Sequence, residues 1–212
     1  MTITMPLAED DRLRDVLTGP FVPGRAEDMT GQSVEEALDL SGLDITSVDF
    51  SGTVFHAPVT AVGTRFLGLA WFRGCRFLAG ADFSGATFLS DARFDDAQFG
   101  RDVSFSRAEM RGTFVLDRAT CEKALFLDRL QVLSNLSMDA TSVAGPASLE
   151  GSEVMGGFWC NGARFLSRCN AAGMEVHGRT WVRGTSVADG QTRPSGPAGL
   201  LTQIHSYGYV WS

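Results

Sequence analysis

The sequence predicts an all-β solenoid, a four-sided coil of very short strands with about 22 residues per coil. Three observations predict it. From Val48 to Gly190 the 212-residue chain divides into thirteen consecutive blocks of eleven residues, without insertion or deletion, as in ADFSGATFLSD (Ala81 to Asp91) and ARFDDAQFGRD (Ala92 to Asp102). Each block carries two large apolar residues, five and then six positions apart: Phe72, Phe77, Phe83, Phe88, Phe94, Phe99, Phe105, Met110, Leu116 and onward to Val187. Two positions before each lies a second recurring site, occupied by Ala70, Cys75, Ala81, Ala86, Ala92, Ala97, Val103 and Ala108.

A gap of two puts both side chains on one face of an extended segment, so each five- or six-residue module is one short wall plus one corner. Helices do not fit, because a 3.6-residue period cannot keep apolar sites at these uneven gaps in register over so long a stretch. Four walls need two blocks, so residues 22 apart should stack on successive rungs. At about 4.8 Å per rung, about six and a half coils make a rod roughly 31 Å long.

Volumes inside the rod support this register. Where the first site is Ala, the second is usually Phe; where Phe158 takes the first site, its partner shrinks to Cys160. Interiors are close-packed, so a gain at one site needs a loss beside it.

The phrase Phe-x-x-Ala-x-Phe, as in Phe83, Ala86 and Phe88, resembles the pentapeptide repeat family over about two thirds of the chain. The resemblance implies a right-handed quadrilateral β-helix with a small residue and a Phe or Leu pointing inward. One departure stands out: the topoisomerase-binding members of that family keep a strict five-residue step, whereas this chain alternates five and six.

Open solenoid ends expose core and unpaired strand edges, so something must cover them. Residues 1–47 read as an acidic N-terminal cap with short helices. Leu7, Leu13, Val16 and Leu17 line one face of a helix through AEDDRLRDVL that ends at Gly19-Pro20, and Ser33 with Glu36 reads as a capping box opening a second helix, SVEEALDL. Leu40, Ile45 and Phe50, at steps of five, lead into the rod of residues 48–190.

Within the rod, Ser51-Gly52, Arg73-Gly74, Ser84-Gly85 and Asn161-Gly162 mark turns where Gly suits positive φ. Asp95, Asp117 and Asp139 should stack at 22-residue intervals; interleaved arginines and turn hydrogen bonds are the expected use of those carboxylates, ahead of a cation. Residues 191–212 read as a linker, QTRPSGPAG, followed by an aromatic tail, LLTQIHSYGYVWS.

Charge divides unevenly. Residues 1–47 carry 10 acidic against 3 basic side chains, residues 48–190 carry 15 against 14, and the rest adds one Arg. A rod that imitates DNA by charge should be acidic along its length, and this one is nearly neutral. Cys75, Cys121, Cys160 and Cys169 fall on inward columns as small hydrophobes, and no metal-type Cys spacing occurs, so no metal or cofactor is expected. His56 and His177 share a corner column and read as solvated. No apolar run is long enough for a membrane span and the start lacks a signal pattern, so a cytoplasmic location is expected.

No paired carboxylates, Ser/His/Asp set or phosphate-binding glycine motif stands out, so the expectation is a non-enzymatic scaffold. Its candidate contact residues are aromatic. Trp159 and Trp181, 22 apart, should stack on an exposed wall, with Trp71 in the same column, and Tyr207, Tyr209 and Trp211 alternate so as to face one side of an extended tail beside His205. The expected partner is a protein, with a second copy of the chain among the candidates and no direct nucleic acid or membrane contact. HSYGYVWS behind its Gly/Pro linker also resembles the aromatic core of a ribosomally made, modified peptide, which would make the rod a folded leader for a cross-linking tailoring enzyme. The alternative implied by the family resemblance is DNA mimicry directed at DNA gyrase.

Overall fold

The computed structural model describes residues 10–188 and 194–212. They form a parallel β-solenoid of four walls built almost wholly from two-residue strands. Among the described residues the walls contain nine, nine, eight and seven strands. Apart from Pro194–Ser195, strands pair with the strand four places along the chain, so Arg76 opposes Gln98 and Phe77 opposes Phe99, the expected offset of 22. From Val48 to Val187 both inward sites are buried on every wall, and the outward residue between them is partly or fully exposed in nearly every case.

Local chemistry makes the corners. In Asp49-Phe50-Ser51-Gly52 the aspartate Oδ1 accepts the Ser51 N–H at 2.8 Å while Phe50 turns inward and Gly52 takes φ 73°. Asp82-Phe83-Ser84-Gly85 repeats it. The side chain captures the backbone donor that the turn would leave free, and glycine permits the left-handed corner. Hydroxyls at the small inward site do a related job: Thr53, Thr64, Thr141 and Ser152 donate to carbonyls of the preceding coil, at 2.6 to 2.8 Å. A buried polar group costs little once it is paired.

Four columns of phenylalanine fill the first half of the bore. Phe50, Phe72 and Phe94 stack at 5.3 and 4.6 Å, Phe55, Phe77 and Phe99 at 4.9 Å each, Phe66 and Phe88 at 4.5 Å, and Phe83 and Phe105 at 5.0 Å. Beyond Phe114 the columns continue as Leu116, Met138, Cys160 and Val182, or their equivalents. All four cysteines are free and buried. Burial raises the Cys75, Cys121 and Cys169 thiols to about 12 and Cys160 further still.

The solenoid begins earlier than residue 48. The stretch expected to be the helix SVEEALDL forms two strands, Ser33–Val34 and Leu38–Asp39, and coiling starts at Glu27–Asp28. Val34, Leu38 and Leu40 are buried as inward sites, and the Ser33 hydroxyl bonds Glu35 instead of capping a helix. This coil pairs with the next at an offset of 21, as in Leu38 with Val59 and Asp44 with Arg65. One residue is missing from the corner between Ile45 and Phe50, where the usual step of six becomes five, and that breaks the eleven-residue frame. The six acidic residues from Glu27 to Asp44 therefore belong to the rod's first coil.

A helix, α1 (Asp10–Leu17), covers the shortened corner. Leu13 and Leu17 are buried as expected, whereas Val16 is 40% exposed; Leu7 lies outside the described residues. The Leu17 carbonyl accepts the Thr46 N–H at 2.8 Å, and Thr46 and Ser47 are buried beneath the cap. At the other end the tail is no free appendage. A short helix, α2 (Ala198–Leu201), buries Leu200, and the strands Ile204–Ser206 and Val210–Trp211 pair with Met174–Val176 and Thr180–Trp181 as further rungs. Pro194–Ser195 runs antiparallel to Val187–Ala188; the first residues of the expected linker lie outside the described set. No helix is long and apolar enough to cross a membrane, among the described residues.

Candidate functional site

The outward residues of one wall form a column through Asp49, Trp71, Arg93, Val115, Ser137, Trp159, Trp181 and Trp211. Its last three members are parallel indoles. Trp159 and Trp181 stack at 5.0 Å and 8°, and Trp181 and Trp211 at 5.1 Å and 9°. The tail therefore extends the tryptophan ladder rather than hiding it. Arg179 places its guanidinium carbon 5.8 Å from the Trp211 ring centroid, within cation–π range. Trp71, four rungs away, is separate from the ladder, and its indole N–H is buried without a hydrogen-bond partner among the described residues.

Tyr207, Tyr209 and Trp211 do not share one side, contrary to their alternation in sequence. A corner at Gly208 divides them between two walls. A Cβ at Gly208 would sit 2.1 Å from the Gly178 carbonyl oxygen, so this corner closes only on glycine. Trp211 joins the ladder, Tyr209 leans over it at 5.8 Å and 50°, and Tyr207 stacks on His177 at 4.9 Å and 17°. The two phenols are the most exposed large hydrophobic side chains among the described residues, at 65% and 75%.

On the wall behind Tyr207, a second group assembles that sequence reasoning missed. Glu153, Glu175 and His205 oppose one another on successive rungs, and His177 follows Glu175 by two positions, the gap that shares a face. The His177 Nε2 lies 3.2 Å from Glu153 Oε1 and 3.7 Å from Glu175 Oε2. His56, expected to be solvated like His177, also meets acid, with Glu35 Oε1 at 3.4 Å. The 22-residue interval from Glu153 to Glu175 was the available signal.

The stacked aspartates serve turns and ion pairs. Asp95 is buried between the Nε atoms of Arg73 and Arg93, each at 2.9 Å. Asp117 accepts from the Ser137 hydroxyl and the Asp139 N–H, and Asp139 from Asn161.

The family model for pentapeptide repeats (9 copies) matches residues 45–87, and the same four-walled geometry continues on both sides of that match. Over residues 45–87 the chain is similar to pentapeptide repeat proteins. No curated protein matches its sequence. A four-walled rod is a rigid frame whose outward columns hold side chains at a repeating spacing, and here the C-terminal end collects both its unusual aromatics and its histidine–carboxylate group.

Proposed function

We propose that the protein is a non-enzymatic scaffold that docks a protein partner on the wall formed by Trp159, Trp181 and Trp211, with Tyr209 and Arg179 at its edge. The observation that carries this reading is the stack of three indoles, each left partly or more exposed on a flat parallel sheet. Tryptophan, tyrosine and arginine dominate binding hot spots because they bring large, rigid contact area. Their backbone is already ordered in the ladder, so docking costs little further entropy.

The test compares the wild-type protein with Trp159→Ser, Trp181→Ser and Trp211→Ser combined, after circular dichroism has established that the rod is folded. A partner identified by mass spectrometry that the wild type retains and the triple variant loses supports the proposal. Equal retention by both sinks it, and a concentration-dependent mass from light scattering would identify the partner as a second copy.

The leader version of this reading makes Tyr207 and Tyr209 the modified groups, since their rings are open while their backbone is held by the preceding coil. Intact mass of protein from its native host would then be lower by two hydrogens per cross-link. For the gyrase alternative, the rod's excess acidity is confined to its first coil, Glu27 to Asp44, and residues 48–190 are nearly neutral, which weighs toward a surface that does not mimic DNA along its length. Inhibition of gyrase supercoiling by the pure protein would reverse that weighting.

A further inference from the structure

We infer that Glu153, Glu175 and His177 form a binding site for one divalent transition-metal ion, of the zinc or cobalt class, which ties two adjacent coils together at the C-terminal end of the rod. Their donor atoms all lie within 4.8 Å of one another. In a tetrahedral site with ligands at about 2.1 Å, neighbouring donor atoms are separated by about 3.4 Å. The observed separations from His177 Nε2, 3.2 and 3.7 Å, bracket that value before any side chain moves.

Charge argues the same way. Glu153 and Glu175 oppose each other on adjacent rungs, and like charges placed so are mutually destabilising. Among the described residues their ion pairs go to His177 alone. A neutral imidazole can donate its Nε2 proton to one carboxylate at most, and a singly charged imidazolium still leaves one negative charge over. A divalent ion answers both carboxylates and takes the imidazole as a neutral ligand. The imidazole selects a borderline metal over magnesium or calcium, which prefer oxygen ligands throughout.

The surroundings suit a ligand. Tyr207 stacks on the His177 ring and fixes its plane, and His205 pairs in register with Glu175 on the next rung. All three donor side chains are between a third and a half exposed, so water can complete the coordination shell. The other histidine–carboxylate contact provides an internal contrast: one glutamate, Glu35, is within ion-pair distance of His56, and Ser33 Oγ occupies the other near position at 3.1 Å.

Isothermal titration of the chelator-treated full-length chain with zinc chloride, and the visible absorption of its cobalt(II) form, test the assignment. One ion per chain is expected, with affinity reduced roughly tenfold or more in His177→Gln and in Glu153→Gln, unchanged affinity in His56→Gln, and a higher melting temperature for the wild type with zinc than without. Failure of the wild type to bind overturns the inference, as does undiminished binding by His177→Gln or equal loss in His56→Gln. If His177→Gln does not fold, Glu153→Gln decides the same question, because that side chain is isosteric and half in solvent.

Discussion

The two halves of the rod solve one packing problem differently. From Phe50 to Phe105 the large site holds Phe in nearly every module and the small site mostly Ala, Thr, Cys or Val, so rings stack from coil to coil at 4.5 to 5.3 Å. From Phe114 onward the roles mix: Phe114 stands beside Leu116, Leu136 beside Met138, and Phe158 beside Cys160, all buried. The two inward sites of a wall face the same interior, so a gain at one can be offset at the other, as where Phe158 stands beside Cys160. The lesson is that the repeat fixes which positions point inward and leaves their sizes to be settled by packing against neighbouring walls and coils.

The halves should differ most sharply when one ring is removed. Phe94 contacts aromatic neighbours above, below and beside it, and Phe94→Ala should lower unfolding free energy by about 3–5 kcal/mol in urea melts. Cys160→Ala, in the same column, should cost about 1 kcal/mol. Equal losses would abolish the distinction between the halves. A second experiment imposes the first-half arrangement on the second: Phe158→Ala alone should cost about 3–5 kcal/mol, and adding Cys160→Phe should restore about 1–3 kcal/mol of it through their coupling. A strictly additive double variant would mean that the wall does not share volume between its two sites.

The thiols extend the comparison to alkaline pH. Each is protonated in the folded rod up to about 12 or beyond, while in the unfolded chain it loses its proton near 9, the ordinary value. The folded form therefore holds protons that the unfolded form releases. Stability is full below about pH 9 and falls as pH rises toward 12, by up to about 1.4 kcal/mol per pH unit for each thiol. Urea midpoints measured at pH 7, 9 and 10.5 should fall in that order, less steeply in Cys169→Ala, and alkylation of the native protein at pH 8 should be negligible. Rapid alkylation of all four would contradict their burial.

Corners carry the smallest difference. At both ends of the rod the left-handed turn position is glycine, whereas through the middle it is Asp96, Arg107, Arg118, Arg129 and Ala140, at φ of 54 to 60°. Arg118 recovers part of the conformational cost by a two-point contact to Asp96, at 2.7 and 2.8 Å, which also pulls the Asp96 carboxyl below its ordinary value. Ala140 has no side-chain group with which to do so. Ala140→Gly should therefore stabilise by about 0.5 kcal/mol, the relief of left-handed strain less the added freedom of the unfolded chain. Thermal melts of Ala140→Gly and Arg118→Gly together sharpen this, since the second should gain nothing.

Periodicity alone determined the number of walls, the offset of 22 and the identity of the inward columns from Phe50 to Val187. Those follow from the direction in which each side chain leaves an extended backbone, which is a local property. The coil from Glu27 escaped because one residue is absent near Ser47, and a single deletion shifts every site upstream of it out of the frame. The tail escaped for the opposite reason. Thr180 meets Val210 across 30 residues, an offset outside any repeat, and only the buried Leu200 and Ile204 bring the strand back to its wall. Tertiary stacking likewise decided that Trp211 continues the ladder, that Gly208 parts Tyr207 from Trp211, and that Glu153, Glu175 and His177 converge, because contacts between rungs exist only once the coil has closed on itself.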